Sequence, residues 1–290
     1  MVKLSPLQDT MQRKPWFELH DHPRCPELLR NLMTDGLEAM WNANNIFSPI
    51  IPHLREVLAE TGTSRVVDLC SGGGGPWLKL VGEFAAVPAG HLAAKPVKVV
   101  LTDLYPNRSA FEHLRSEHGA LDFFPEPVDA THIPPELSGF RTIFAALHHF
   151  RPEQARAILQ DAFEQRQGIG VFESTLCEPR MMMTVFLVPL LSLWLTPGIR
   201  PFRWSRIFLT YVLPVIPFIL WFDGLLSCLR SYSLADFEEL VAGFDAEDYR
   251  WTVGVARGKW IGIPYLIGHP VQFKKPDQRE VSAAQMEKPA

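Results

Sequence analysis

The run Arg65-Val66-Val67-Asp68-Leu69, passing directly into Cys70-Ser71-Gly72-Gly73-Gly74-Gly75-Pro76, constrains this chain more than any other stretch. A short β-branched apolar run reads as a buried strand. Trp77 to Phe84 then carries apolar residues at helical spacing behind a proline suited to a first turn. Glycines between strand and helix tolerate positive φ and let ligand atoms come against the backbone, so the junction suits a nucleotide-like ligand at the mouth of an α/β sheet. The order Gly-x-x-x-x-Gly-Lys-Ser/Thr is missing, which excludes a P-loop. Pro96 to Thr102 reads as a second strand, and Asp103 is the acid at its end. Ala85 to Lys95 reads as an added loop that lengthens the interval.

Downstream, short apolar runs alternate with helical patterns. Strands are expected at Val66 to Leu69, Val97 to Thr102, Phe123 to Val128, Thr142 to Ala146 and Gly170 to Phe172. Helices are expected at Leu28 to Met40, Pro49 to Glu60, Pro76 to Phe84, Ser109 to His118 and Pro152 to Gln165. Such alternation predicts an α/β fold, a mostly parallel twisted sheet with helices on both faces. Tyr249 to Ala256 and Ile261 to Ile267 read as an antiparallel C-terminal hairpin. Ser233 with Asp236 three residues on is a capping-box start for a helix before it.

The run from Asp68 through Gly72 and Gly74 resembles the first motif of the class I S-adenosylmethionine-dependent methyltransferases, with Cys70 where that family usually has its first glycine. The resemblance extends over most of Arg65 to Pro270, and Leu28 to Leu58 is similar to the helical lead-in that many such enzymes place over the cofactor. It implies S-adenosyl-L-methionine as cofactor, held by Asp68, Cys70, Gly72 and Gly74. Asp103 with Leu104 would stand at the ribose hydroxyls, and Asp129 with Ala130 near the adenine. The chemistry implied is displacement at a sulfonium methyl, in which the protein mainly aligns two reactants. An acceptor that keeps its proton near neutral pH needs a base. His148 and His149, after the fourth strand, and Glu173, at the end of the fifth, are the candidates, against plainer roles in shaping the loop or capping the next segment.

A second feature is Met181 to Phe222, which holds no lysine or acidic residue, only Arg200, Arg203 and Arg206 between two apolar stretches broken by Pro189, Pro197, Pro214 and Pro217. Each stretch is short of, or barely at, the roughly 20 residues that span a bilayer. Three readings stand. The segment lies as a hairpin in the membrane interface, with its arginines near lipid phosphates and Trp194, Trp204, Tyr211 and Trp221 at headgroup depth; or it is a lid over the site; or it is a buried helical pair at a domain or dimer interface.

The organisation expected is an N-terminal arm and helical lead-in over 1–64, with Trp16 and Phe17 as anchors. An α/β core follows over 65–180, an apolar helical insertion over 181–228, the rest of the core over 229–273 and a disordered tail over 274–290. With 290 residues, 47% of them hydrophobic, the chain can bury such a core. A net charge of -4 argues against nucleic acid as partner. Cys25, Cys70, Cys177 and Cys228 form no paired motif, so neither a metal site nor a disulfide framework is expected and a reducing cytoplasm fits. Met1 to Lys14 lack an apolar segment of the secretory kind, so location is expected to be cytoplasmic, peripheral or monotopic at the inner membrane. The function expected is methyl transfer to a small lipophilic acceptor, with a homodimer as an assembly open to the chain. The alternatives are an NAD(P)-dependent oxidoreductase and a non-catalytic membrane-associated binding protein.

Overall fold

The computed structural model describes residues 18–85, 96–174, 179–258 and 261–271. The anchors Trp16 and Phe17, most of the loop over 85–95, Cys177 and the tail over 274–290 lie outside the described residues.

Helices α1 (Glu27–Asn44) and α2 (Ile51–Thr61) precede β1 (Arg65–Leu69), α3 (Trp77–Ala85), β2 (Lys98–Leu101), α4 (Arg108–Glu117), β3 (Leu121–Phe123), β4 (Phe140–Phe144), α5 (Pro152–Glu164) and β5 (Ile169–Phe172). Then come α6 (Pro179–Leu195), α7 (Trp204–Ile207), α8 (Val215–Arg230), α9 (Leu234–Val241) and a terminal hairpin of β6 (Tyr249–Arg257) and β7 (Gly262–Pro270). The seven strands form one sheet in the order β3-β2-β1-β4-β5-β7-β6. The first five are parallel, with Val67 facing Val100 on one side and Arg141 on the other. β7 runs antiparallel to β5, Val171 facing Leu266, so the expected antiparallel hairpin closes the sheet.

Alternation along β1 builds both cores. Val66 enters the layer of α2, α3 and α4 with Leu54, Leu80, Phe111 and Phe144. Val67 and Leu69 enter the layer of α5 and α9 with Ile158, Leu159, Phe237 and Leu240. Each side chain of this kind contributes roughly 1.5–3 kcal/mol on full burial. Arg141 lies in the buried strand β4 because its guanidinium reaches Asp161 on α5 at 2.6 Å and Gln165, just past the end of that helix, at 3.1 Å. The capping box is formed: Ser233 Oγ accepts from Asp236 N, and Asp236 Oδ2 accepts from Ser233 N at 2.7 Å.

Several boundaries differ from expectation. The third strand ends at Phe123 rather than running to Val128, because Pro125 and Pro127 bring no N–H to a ladder. Phe124 N and Val128 N still donate to Leu101 O and Asp103 O. The fourth strand starts earlier, at Phe140.

The insertion packs as a third cluster on α1. Ile216, Ile219 and Leu220 of α8, with Val188, Leu191 and Leu195 of α6, meet Leu32, Met33 and Met40. The other side of α1 is polar and faces the sheet. Asn42 Nδ2 donates to Gly75 O at 3.0 Å and its Oδ1 accepts from Lys79 N at 3.2 Å, which caps the start of α3. Asp35 accepts from Asn107 Nδ2 at 2.7 Å and forms a buried ion pair with Arg206. Arg206 is therefore inside the protein rather than at lipid phosphates, and Arg203 turns to the Ser109 hydroxyl. Of the three arginines, Arg200 stays exposed.

Candidate active site

A cleft of about 890 Å³ opens at the C-terminal ends of β1, β2 and β4, where ligands of open α/β sheets bind. Cys70, Ser71, Gly72 and Gly73 form its floor, Asp103, Leu104 and Tyr105 one wall, and His148 and His149 the opposite wall; Thr34, Leu37 and Trp41 of α1 roof it. No described residue of 182–222 lines it. The insertion backs the roof helix and is not itself a lid.

The floor is a tight turn. Cys70, Gly72, Gly74 and Gly75 all have positive φ, of 58°, 57°, 121° and 58°. A Cβ on Gly73 would stand 3.1 Å from the Thr34 backbone, so glycine is what lets α1 lie against the turn. Asp103 spans the two loops: Oδ2 accepts from Gly72 N at 2.7 Å and Oδ1 from Tyr105 N at 2.8 Å. Its carboxylate is thereby fixed at the cleft wall.

Asp68 is wholly buried below the floor and does not line the cleft. Thr142 Oγ1 donates to it at 2.6 Å and Ser71 Oγ at 2.7 Å. Burial pushes its pKa up to about 6 against the lowering effect of these bonds. Burial, with Asp103 and Asp68 nearby, likewise pushes the Cys70 thiol up, so it is no thiolate near neutral pH. Gly74 packs on Leu114, away from the cleft. Asp129 is exposed and accepts from Thr131 N and Oγ1 at 2.8 and 2.7 Å, and Ala130 is core; neither lines the cleft.

The opposite wall is a polar cluster. His148 Nδ1 and Glu173 Oε2 are 2.8 Å apart, and Glu173 Oε1 accepts from Leu147 N at 2.9 Å. With Nδ1 against the Glu173 carboxylate, Nε2 is turned the other way. His149 Nδ1 meets Asp21 Oδ2 at 2.9 Å, and the two imidazoles lie 4.3 Å apart. Burial alone would depress both histidines. Glu173 beside His148, and Glu18 and Asp21 beside His149, outweigh it and hold both above the ordinary value. Arg230 Nη2 donates to His149 O at 2.7 Å, and Arg230 Nη1 stands 3.3 Å from Asp21. The three residues His148, His149 and Glu173 are thus brought together, though Glu173 is sealed behind His148. Glu18, Asp21 and Arg230 have no counterpart in the sequence reading. They lie more than 120 residues from His149 or next to the insertion, and no local motif marks them.

No protein-family model matches the chain, and no curated protein matches it. Among solved structures, human N-acetylserotonin methyltransferase in complex with SAM is similar at 14% identity, over 85% of this chain and 57% of that one, with a TM-score of 0.48. Magnesium protoporphyrin IX methyltransferase from Synechocystis PCC 6803 with bound SAH is similar at 13%, over 75% and 80%, with a TM-score of 0.39. A Rhodobacter sphaeroides protein carrying the name of a Zn-dependent alcohol dehydrogenase matches at 14%, over 83% and 99%, with 0.45. The chain spans little more than half the length of the first of these. This is the class I methyltransferase fold. The strand order with its antiparallel β5-β7-β6 edge carries that statement. At these scores the likenesses say nothing of what the chain acts on.

Proposed function

We propose that the chain transfers a methyl group from S-adenosyl-L-methionine to a small lipophilic acceptor, at a membrane surface. The observation that supports it most is the Asp103 carboxylate, held by Gly72 N and Tyr105 N at the wall of the cleft, where it can accept from both hydroxyls of a ribose. The glycine turn leaves backbone open to the amino-acid end of the cofactor. Asp68 acts from below by holding the turn. The cleft volume lies within the range of about 300–1,000 Å³ usual for small-molecule sites. His148, positioned by Glu173 and flanked by His149, is the group that activates the acceptor.

The membrane part rests on the outer face of the insertion. Met183, Phe186, Leu187, Leu190 and Trp194 recur at helical spacing along α6, and all are exposed, Trp194 by 75%. Trp204, 78% exposed, and Tyr211 continue the face. No single helix among the described residues is long and apolar enough to cross a membrane, and the Trp204–Val212 and Val215–Arg230 pair is bent by 76°. An apolar face with tryptophans and a tyrosine suits a segment lying in the interfacial layer.

Calorimetry with S-adenosylmethionine, S-adenosylhomocysteine and NADH tests the cofactor. Micromolar binding of the first two is expected, and Asp103→Ala weakens it by about tenfold or more. Binding of NADH instead turns the reading to an oxidoreductase. Flotation with anionic vesicles tests the surface: the wild-type chain floats, and a Trp194→Ser, Trp204→Ser variant does not. A wild-type chain that stays at the bottom as a dimer overturns the membrane part.

A further inference from the structure

The polar wall of the cleft is built in a way that a base alone does not explain. His148 is 96% buried by its 4% exposure, and its Nε2 has no hydrogen-bond partner among the described residues. That nitrogen points at the Glu18 carboxylate, itself buried, at 3.6 Å. His149 Nδ1 is 3.8 Å from the other Glu18 oxygen. A direct charge-assisted bond would close either gap to about 2.8 Å. Ligand atoms about 2.0–2.1 Å from a tetrahedral ion stand about 3.3 Å apart, which is nearer to what is found.

We propose that Glu18, His148 and His149 form a binding site for a divalent ion of the zinc class. One ligand atom from each lies within 4.8 Å of the others. Two imidazoles and one carboxylate are a donor set that borderline divalent ions take in preference to magnesium or calcium. Glu173 supplies what a metal-bound histidine requires on its far nitrogen: a carboxylate on Nδ1 that fixes the ring and turns the Nε2 lone pair outward. It is in turn fixed by Leu147 N.

Glu18, Asp21 and Glu173 bring three carboxylates to the cluster, and Arg230 stands 3.3 Å from Asp21 and 3.7 Å from Glu18. On loading, His149 Nδ1 exchanges its Asp21 contact for the ion and Asp21 stays with Arg230. His148 and His149 both line the cleft, so an ion held between them stands at its wall.

The proposed function bears only on what the ion would do, namely take the oxygen of an acceptor and make its proton more acidic. Ion binding itself does not depend on it. The test is a titration of the chelator-treated full chain with cobalt(II), followed by its visible absorption, with S-adenosylmethionine affinity measured alongside. One cobalt per chain with an intense tetrahedral band is expected, displaced by zinc. Glu18→Gln and His148→Gln abolish the band in protein whose circular dichroism is unchanged. Glu173→Gln, which touches no ion, weakens cobalt by about 10–100-fold. A wild-type chain without the band, or a band that survives both ligand substitutions, overturns the site. Cobalt bound while S-adenosylmethionine is not would leave the site standing and remove the proposed cofactor. If a ligand variant unfolds, Glu173→Gln and the wild-type titration decide.

Discussion

The two walls of the cleft are made in opposite ways. The glycine wall comes from two short stretches, 68–75 and 102–107, and is mostly backbone: a turn with four positive φ values and a carboxylate tethered to two amides. The histidine wall is mostly side chain and is gathered from positions 18, 21, 148, 149, 173 and 230. Backbone recognition needs only the right local turn, whereas a charged cluster out of water holds together only when every member is present. The first wall should therefore lose binding by degrees when altered, and the second should lose its chemistry at once.

The largest expected effect sharpens that contrast. His148→Gln lowers methyl transfer by about 10²–10⁴-fold while cofactor affinity stays within a factor of two, because His148 stands on the wall opposite Asp103. Single-turnover rates and calorimetry on the same protein check it. A parallel loss of cofactor affinity would mean that the walls are not separate.

A smaller effect concerns the turn from beneath. With its folded pKa raised to about 6 from 3.8, Asp68 binds its proton more tightly in the folded state. Its contribution thus favours folding at low pH and is lost as pH rises between about 4 and 6, by roughly 3 kcal/mol in all. Denaturant unfolding across this range should show that loss in the wild type and not in Asp68→Asn. Equal slopes would show that Asp68 is no more strained by its charge than an exposed carboxylate. The smallest effect is at Cys70, whose φ of 58° a side chain adopts at a cost. Cys70→Gly should raise stability by about 1 kcal/mol with little change in cofactor binding, read from the unfolding midpoint. A lower midpoint would show that packing of the thiol outweighs the backbone.

The same contrast explains what could be read from the sequence. The turn, Asp103, the parallel strands, the terminal hairpin and the Ser233 to Asp236 cap are local, and each announces itself by spacing. The third strand misled because its apolar residues continue past Phe123, where Pro125 and Pro127 have no N–H for a ladder. Arg206 reads as a surface charge in an apolar loop, and only the fold brings Asp35 to it from 171 positions away. Glu18 and Asp21 sit in a polar arm with nothing to mark them, since what makes them part of the site is Ser227, Arg230 and the two histidines. That Asp68 stays out of the cleft follows from Thr142 on the neighbouring strand, again a matter of pairing rather than of motif.

The contact between Glu18 and Ser227, 209 positions apart at 2.9 Å, has a consequence for the order in which the molecule is made. A chain emerging from the ribosome can close the turn and its first strand pairs once roughly its first half is out, since those contacts are short in sequence. Glu18 is synthesised long before α8 and must wait for it before this contact can form. The nascent chain therefore acquires a pocket well before it acquires the wall that would act on what the pocket holds.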